Sequence, residues 1–138
     1  MKIAQITCTG LPTPQALASL AAVGPQLVLA FGGIACLTRE GLLPALRAAL
    51  PQALLAGCST AGEIGNEGVS DEQLVLTALH LEHPDIRLAA TALHAMDDIF
   101  AAGERLGRQL CAAGLHDVLV FAQGVHINGS ALIAGLRS

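Results

Sequence analysis

The sequence contains no tryptophan, no tyrosine and only three phenylalanines in 138 residues. Base-stacking platforms for single-stranded nucleic acid are built from aromatic side chains, so none is expected. Positive charge is also scarce. Seven Lys and Arg stand against eleven Asp and Glu, for a formal charge of −4. The basic residues are scattered, whereas a nucleic-acid footprint needs them clustered. No apolar run approaches the roughly 18 residues of a membrane span. The nearest, QLVLAFGGIACL (26–37), is broken by two glycines. The opening MKIAQITCTG lacks the apolar h-region of a secretory signal. No C-x-x-C pair occurs. Cys8, Cys36, Cys58 and Cys111 each sit among apolar neighbours, the pattern of reduced thiols in a cytoplasmic protein.

What the sequence has in quantity is Ala and Leu. Hydrophobic residues make up 53% and charged residues 13%, against about 45–50% and about 25% in ordinary domains. This length suits a single domain, which buries about two-thirds of its unfolded surface. Two explanations fit the shortage of polar cover. One is a compact, buried α/β core. The other is apolar surface that meets the rest of a longer chain. The final SALIAGLRS (130–138) reads as an amphipathic helix without a stop signal, so an incomplete domain spanning 1–138 is the expectation.

Strands and helices alternate. KIAQITC (2–8) reads as a strand. Thr13 and Pro14 form an N-cap with Pro at the first helical position, and Gly24 stops that helix. QLVLAF (26–31) and ALLAGC (53–58) are short continuous apolar runs, as in strands buried on both faces. Thr38 is placed as the cap of a second helix, which Pro44 forces to begin late or bend. QLVLTALHL (73–81) and IRLAATAL (86–93) flank the turn-like EHPD and predict an antiparallel hairpin. Asp97 is placed as the cap of a helix with Glu104 and Arg108 at i,i+4, ended by Gly114. DVLVFA (117–122) predicts another buried strand, and Asn128 or Ser130 caps a last helix. The fold class is therefore α/β: a layered mixed sheet of central buried strands flanked by helices, with an antiparallel hairpin at about 73–93.

Chemistry concentrates in GCSTAGEIG (57–65). Gly57 and Gly62 have the spacing of a P-loop, but Glu63 and Ile64 replace its Lys and Ser/Thr, and a carboxylate reverses the electrostatics. A nucleophile elbow needs G-x-S-x-G, yet Ala61 stands where the second glycine belongs. Catalysis by Cys58 or Ser59 needs a neighbouring base. A ligand-reading loop fits better, because ligands of open α/β sheets bind beyond the carboxyl ends of strands. Glycines let the backbone approach a guest, Ser59 and Thr60 donate or accept, and a carboxylate at Glu63 suits an amino group. The same residues also serve a plain sharp turn. A second polar loop, QGVHINGS (123–130), supplies His126, Asn128 and Ser130, although Asn128 and Ser130 have ordinary work as helix caps. His80, His83 and His94 lack partners at metal-ligand spacing, so no metal is expected.

Together, AGCSTAGEI (56–64), the following strand QLVLTAL, the preceding PQLVLAF, and VLVFAQGVHINGSALIAGL (118–136) with its Asn-Gly-Ser resemble the FIST N-terminal domain family. The resemblance runs through nearly the whole chain in order. It implies a non-enzymatic sensory module of signal transduction that binds a small ligand, with amino acids proposed. It also implies a C-terminal FIST domain, or an output protein such as a histidine kinase, diguanylate cyclase or chemotaxis component, as partner. A subset of similar proteins binds haem and senses nitric oxide, which makes His126 or His94 the axial ligand in that alternative. The ligand-binding residues expected from the two loops are Gly57, Cys58, Ser59, Thr60, Gly62, Glu63, His126, Asn128 and Ser130. A family domain is longer than this chain.

Overall fold

The computed structural model describes residues 1–138 apart from Asn66, Glu67, Pro84, His126 and the side chain of Met96. The chain divides into two compact units, Met1–Ile86 and Arg87–Ser138.

The first unit is built on a four-stranded mixed sheet in the order β1-β6-β2-β3. The strands are β1 (Lys2–Cys8), β2 (Leu27–Gly32), β3 (Leu54–Ser59) and β6 (Leu74–His80). β2 and β3 are parallel, while β6 runs antiparallel to both β1 and β2. A separate two-stranded ribbon, β4 (Glu63–Gly65) with β5 (Gly68–Ser70), leads into β6. The expected strands at 2–8, 26–31, 53–58 and 73–81 are thus all present within a residue or two. The antiparallel partner of 73–81 is different from the one expected. β1 and β2 occupy both edges of β6, so its ladder has no vacant side for 86–93, which forms no strand.

Helices α1 (Pro14–Ala21) and α3 (Leu42–Ala49) supply the core on one sheet face. Leu17, Leu20, Leu42, Leu46 and Leu50 pack with Val28, Leu74, Leu76 and Ala78, all buried. Alternate strand positions face this layer, as the period of two requires. Thr13 caps α1 as expected, its Oγ1 accepting from Ala16 N at 3.2 Å. Thr38 does not start a helix. It ends the short α2 (Ile34–Leu37) and turns its hydroxyl back to donate to Ile34 O at 2.8 Å. Gly41, at φ +86°, takes the N-cap of α3. Pro44 then falls in the first turn, where its missing N–H has no partner to lose.

The second unit pairs α4 (Ile99–Leu110) with α5 (Gly129–Leu136). Ile99, Ala102 and Leu132 form its small core, joined by Leu106, Val120, Ile127 and Ala131. The helix backbones meet at glycines. A Cβ on Gly103 would collide with Leu132 O, and one on Gly135 with Phe100 O. The expected strand at 117–122 is absent: Leu119 is 66% exposed and only Val120 joins the core. Among the described residues of this unit there is no sheet to receive it, and burying an unpaired apolar strand would strand its backbone groups.

Asp97 is not the cap of α4; Asp98 holds that position after a 3₁₀ turn at Met96–Asp98. Its carboxylate is committed elsewhere. Arg105 grips it twice, Nη1 to Oδ1 at 2.9 Å and Nη2 to Oδ2 at 2.8 Å, and His94 N donates at 3.2 Å. Arg105 also donates to Thr91 Oγ1 and Ala92 O, both at 2.9 Å. The Arg105 hydrogen bonds, with the His94 amide second, hold the Asp98 carboxyl at about 2. A carboxyl depressed in the folded state stabilises it above the unfolded value of about 3.9, and that help fades as pH falls through the folded value. Melting followed by circular dichroism should therefore show a fall in Tm between about pH 4 and pH 2. Asp98→Asn should lower Tm at neutral pH and flatten that acid limb. A limb of unchanged steepness in the variant would assign the acid sensitivity to other carboxylates.

Candidate functional site

β6 is the only reversed strand of the four, so β1, β2 and β3 all point the same way. The register lines up their ends. Cys8 pairs with Leu74, Leu74 with Gly32, and Gly32 with Ser59. One row across the sheet thus carries the carboxyl ends of three strands and the amino end of the fourth. Four connections leave from this row: 9–13 after β1, Gly33 after β2, 60–62 after β3, and 71–73 entering β6.

Close backbone packing shapes the row. Gly57 sits opposite Ala30 with φ +155°, and a Cβ there would strike the Ala30 carbonyl oxygen. A Cβ on Gly32 would lie 2.5 Å from Gln73 O. Gly33 adjoins Glu72, whose φ of +56° is the only positive value among described non-glycine residues. Thr60 N donates to Gly32 O at 3.1 Å, extending the β2–β3 ladder one step past the strand end.

Glu63 is the one buried charged side chain among the described residues, at 2% exposure. Its Oε1 accepts from Thr60 Oγ1 at 2.6 Å and its Oε2 from Gln73 N at 3.2 Å. A buried carboxylate demands such partners. The effect is a staple tying the loop after β3 to the entry of β6. Gly62 packs beside Asp71, its virtual Cβ 3.2 Å from Oδ1. Ser59 is exposed at the row, and Cys58 is half-buried one residue earlier, opposite Phe31. Among the described residues neither has a histidine as hydrogen-bond partner.

Several residues at the row were not singled out from the sequence. Cys36 Sγ donates to Glu72 O at 3.2 Å, and Arg39 Nη2 donates to Thr9 O at 3.4 Å. Burial pushes the Cys8 thiol up, and the neighbouring Cys36 adds to this; the Gly10 amide and Arg39 pull the other way. Cys8, Cys36, Arg39 and Glu72 therefore share one neighbourhood. The glycine pair in FGGIACL was the available signal, since a Gly-Gly after a buried strand marks close backbone approach as readily as it breaks a run.

The second loop belongs to the second unit. His126 lies outside the described residues. Asn128 caps α5, its Oδ1 accepting from Ala131 N at 3.1 Å. Ser130 is exposed and, with Gly129, Ile133, Ala134 and Arg137, lines an open depression of about 460 Å³. His94 is exposed, and His80 Nδ1 contacts Gly24 O at 2.7 Å at the opposite end of the sheet. Among the described residues no three His, Cys, Asp or Glu converge as metal ligands. No described helix is long and apolar enough to cross a membrane.

The FIST N domain family model matches residues 26–138, from the residue before β2 to the last residue. The chain therefore belongs to the FIST N domain family, a sensory domain of signal transduction proteins. No curated protein and no solved structure is found to match it.

Proposed function

We propose that this sensory domain binds a small polar metabolite, such as an amino acid, at the row formed by the carboxyl ends of β1, β2 and β3. The observation that carries the reading is the alignment of Cys8, Leu74, Gly32 and Ser59 in one register, which gathers three strand ends at a single rim. Ligands of open α/β sheets bind at such rims. Ser59 offers an exposed hydroxyl there, with Cys58 and Thr60 on either side of it. Gly57 and Gly62 shape the corner, and Glu63 holds it in place through Thr60 and Gln73. The signal passes to a C-terminal FIST domain or to a kinase, cyclase or chemotaxis-type output protein in the cytoplasm.

The test is a thermal-shift and calorimetric screen of the chain against amino acids and small dicarboxylates. A ligand at about 100 times its Kd stabilises the folded state by about 2.7 kcal/mol, enough for a clear rise in Tm. Ser59→Ala should weaken the best compound by about tenfold, the worth of one hydrogen bond to a charged group. Silence across the whole panel removes the reading.

A further inference from the structure

We propose that Arg39 is the residue that reads an anionic group of the guest and selects small metabolites carrying a carboxylate. This rests on the ligand-binding reading given above. The first unit has three Lys and Arg residues: Lys2, Arg39 and Arg47. Lys2 opens β1 opposite His80, the last residue of β6, and so lies at the far end of the sheet. Arg47 is spent at that end too, donating Nη1 to Ala53 O at 3.3 Å, just ahead of β3. Arg39 alone stands at the carboxyl-end row. It follows α2, the connection that leaves β2 through Gly33, and its Nη2 reaches the carbonyl of Thr9, the residue after β1.

The Arg39 head group is under-used for an arginine. A guanidinium carries five N–H donors in a flat fork. Here one of them makes a 3.4 Å bond to a neutral carbonyl, the side chain is exposed, and among the described residues no carboxylate pairs with it. Contrast Arg105, whose fork is filled by Asp98, Thr91 and Ala92. An unfilled fork matches a carboxylate bidentately, with geometry that an ammonium cannot reproduce.

Calorimetry with paired probes tests this: each amino acid beside its own carboxamide, and succinate beside succinamide. The native chain should bind an acid at least about tenfold more tightly than its amide. Arg39→Gln should abolish that preference, and Arg39→Lys, which keeps the charge but loses the fork, should retain only part of it. The Tm of the ligand-free chain should be the same in all three, since the side chain makes one long bond. Added salt should weaken succinate and not succinamide, which carries no charge. If the native chain binds an acid and Arg39→Gln binds it equally well, the assignment to Arg39 is overturned while the ligand-binding reading stands. If acid and amide bind alike, carboxylate selection is overturned. If no probe binds the native chain, both fall together.

Discussion

Gly57→Ala is expected to cost the first unit about 3 kcal/mol or more, measured by urea unfolding of the chain. Two effects add. The φ of +155° is one that L side chains rarely adopt, which costs about 1–3 kcal/mol. The added methyl would meet the Ala30 carbonyl oxygen, with Ala30 C at 2.7 Å and Ala30 N at 2.9 Å behind it. These are backbone atoms of a paired strand, so relief requires β2 and β3 to separate, and forced overpacking costs about 1–3 kcal/mol more. Gly62→Ala is the contrast. Its nearest neighbour is the Asp71 side chain at 3.2 Å, which can turn aside, and its φ is not positive. A loss under about 1 kcal/mol is expected there. Equal costs at both positions would mean that the two glycines serve a common loop conformation rather than strand contact at one of them.

That contrast marks what the sequence could and could not disclose about the loop. Both glycines were visible in GCSTAG as candidates for backbone approach to a guest. For Gly57 the close neighbour is the chain itself, and which backbone it meets depends on the β2–β3 register. Four strands were legible, 26–31 and 53–58 as short continuous apolar runs that fit a buried sheet, and 2–8 and 73–81 as strand-like segments beside turn residues. Their order was not. β6 lies between β1 and β2, pairing Lys2 with His80 across nearly the whole unit, and pattern alone does not choose among distant partners. The runs 86–93 and 117–122 have the same composition as true strands. Strand character depends on a partner as well as on residue type. In 86–93 the carbonyls that a ladder would use are taken by side chains of α4: Gln109 donates to Ala90 O at 3.5 Å and Arg105 to Ala92 O at 2.9 Å.

The same dependence on strand order explains the candidate site. The corner after β3, with Ser59 in it, is legible from its own loop. Gly33, Glu72 and Arg39 were not legible in that way, because they come to the same row only once β6 is inserted and the ends of β1 and β2 come level. The helix caps, by contrast, need only local spacing, and Thr13 and Asn128 behave as their sequence context indicates.

Glu63→Ala is expected to destabilise the first unit by about 3 kcal/mol. The truncation leaves the half-buried Thr60 hydroxyl and Gln73 amide without their acceptors, and each unmade bond costs about 1–3 kcal/mol. Glu63→Gln separates charge from hydrogen bonding. Its amide oxygen can accept from Gln73 N while its NH₂ donates to Thr60 Oγ1, which turns from donor to acceptor, so the staple survives in neutral form. A cost near 1 kcal/mol is expected for Glu63→Gln, with the folded structure retained. The pair of variants also distinguishes the two roles available to this carboxylate. A carboxylate that holds the loop through Thr60 and Gln73 tolerates the amide, and Glu63→Gln should bind the best metabolite with affinity within about threefold of native. A carboxylate that meets an ammonium group of the guest does not, because the amide surrenders a charge-assisted bond and affinity falls by about tenfold or more at unchanged stability. Burial to 2% and two short-range partners favour the first outcome. Isothermal titration of the three proteins with one compound, alongside their urea midpoints, decides between them.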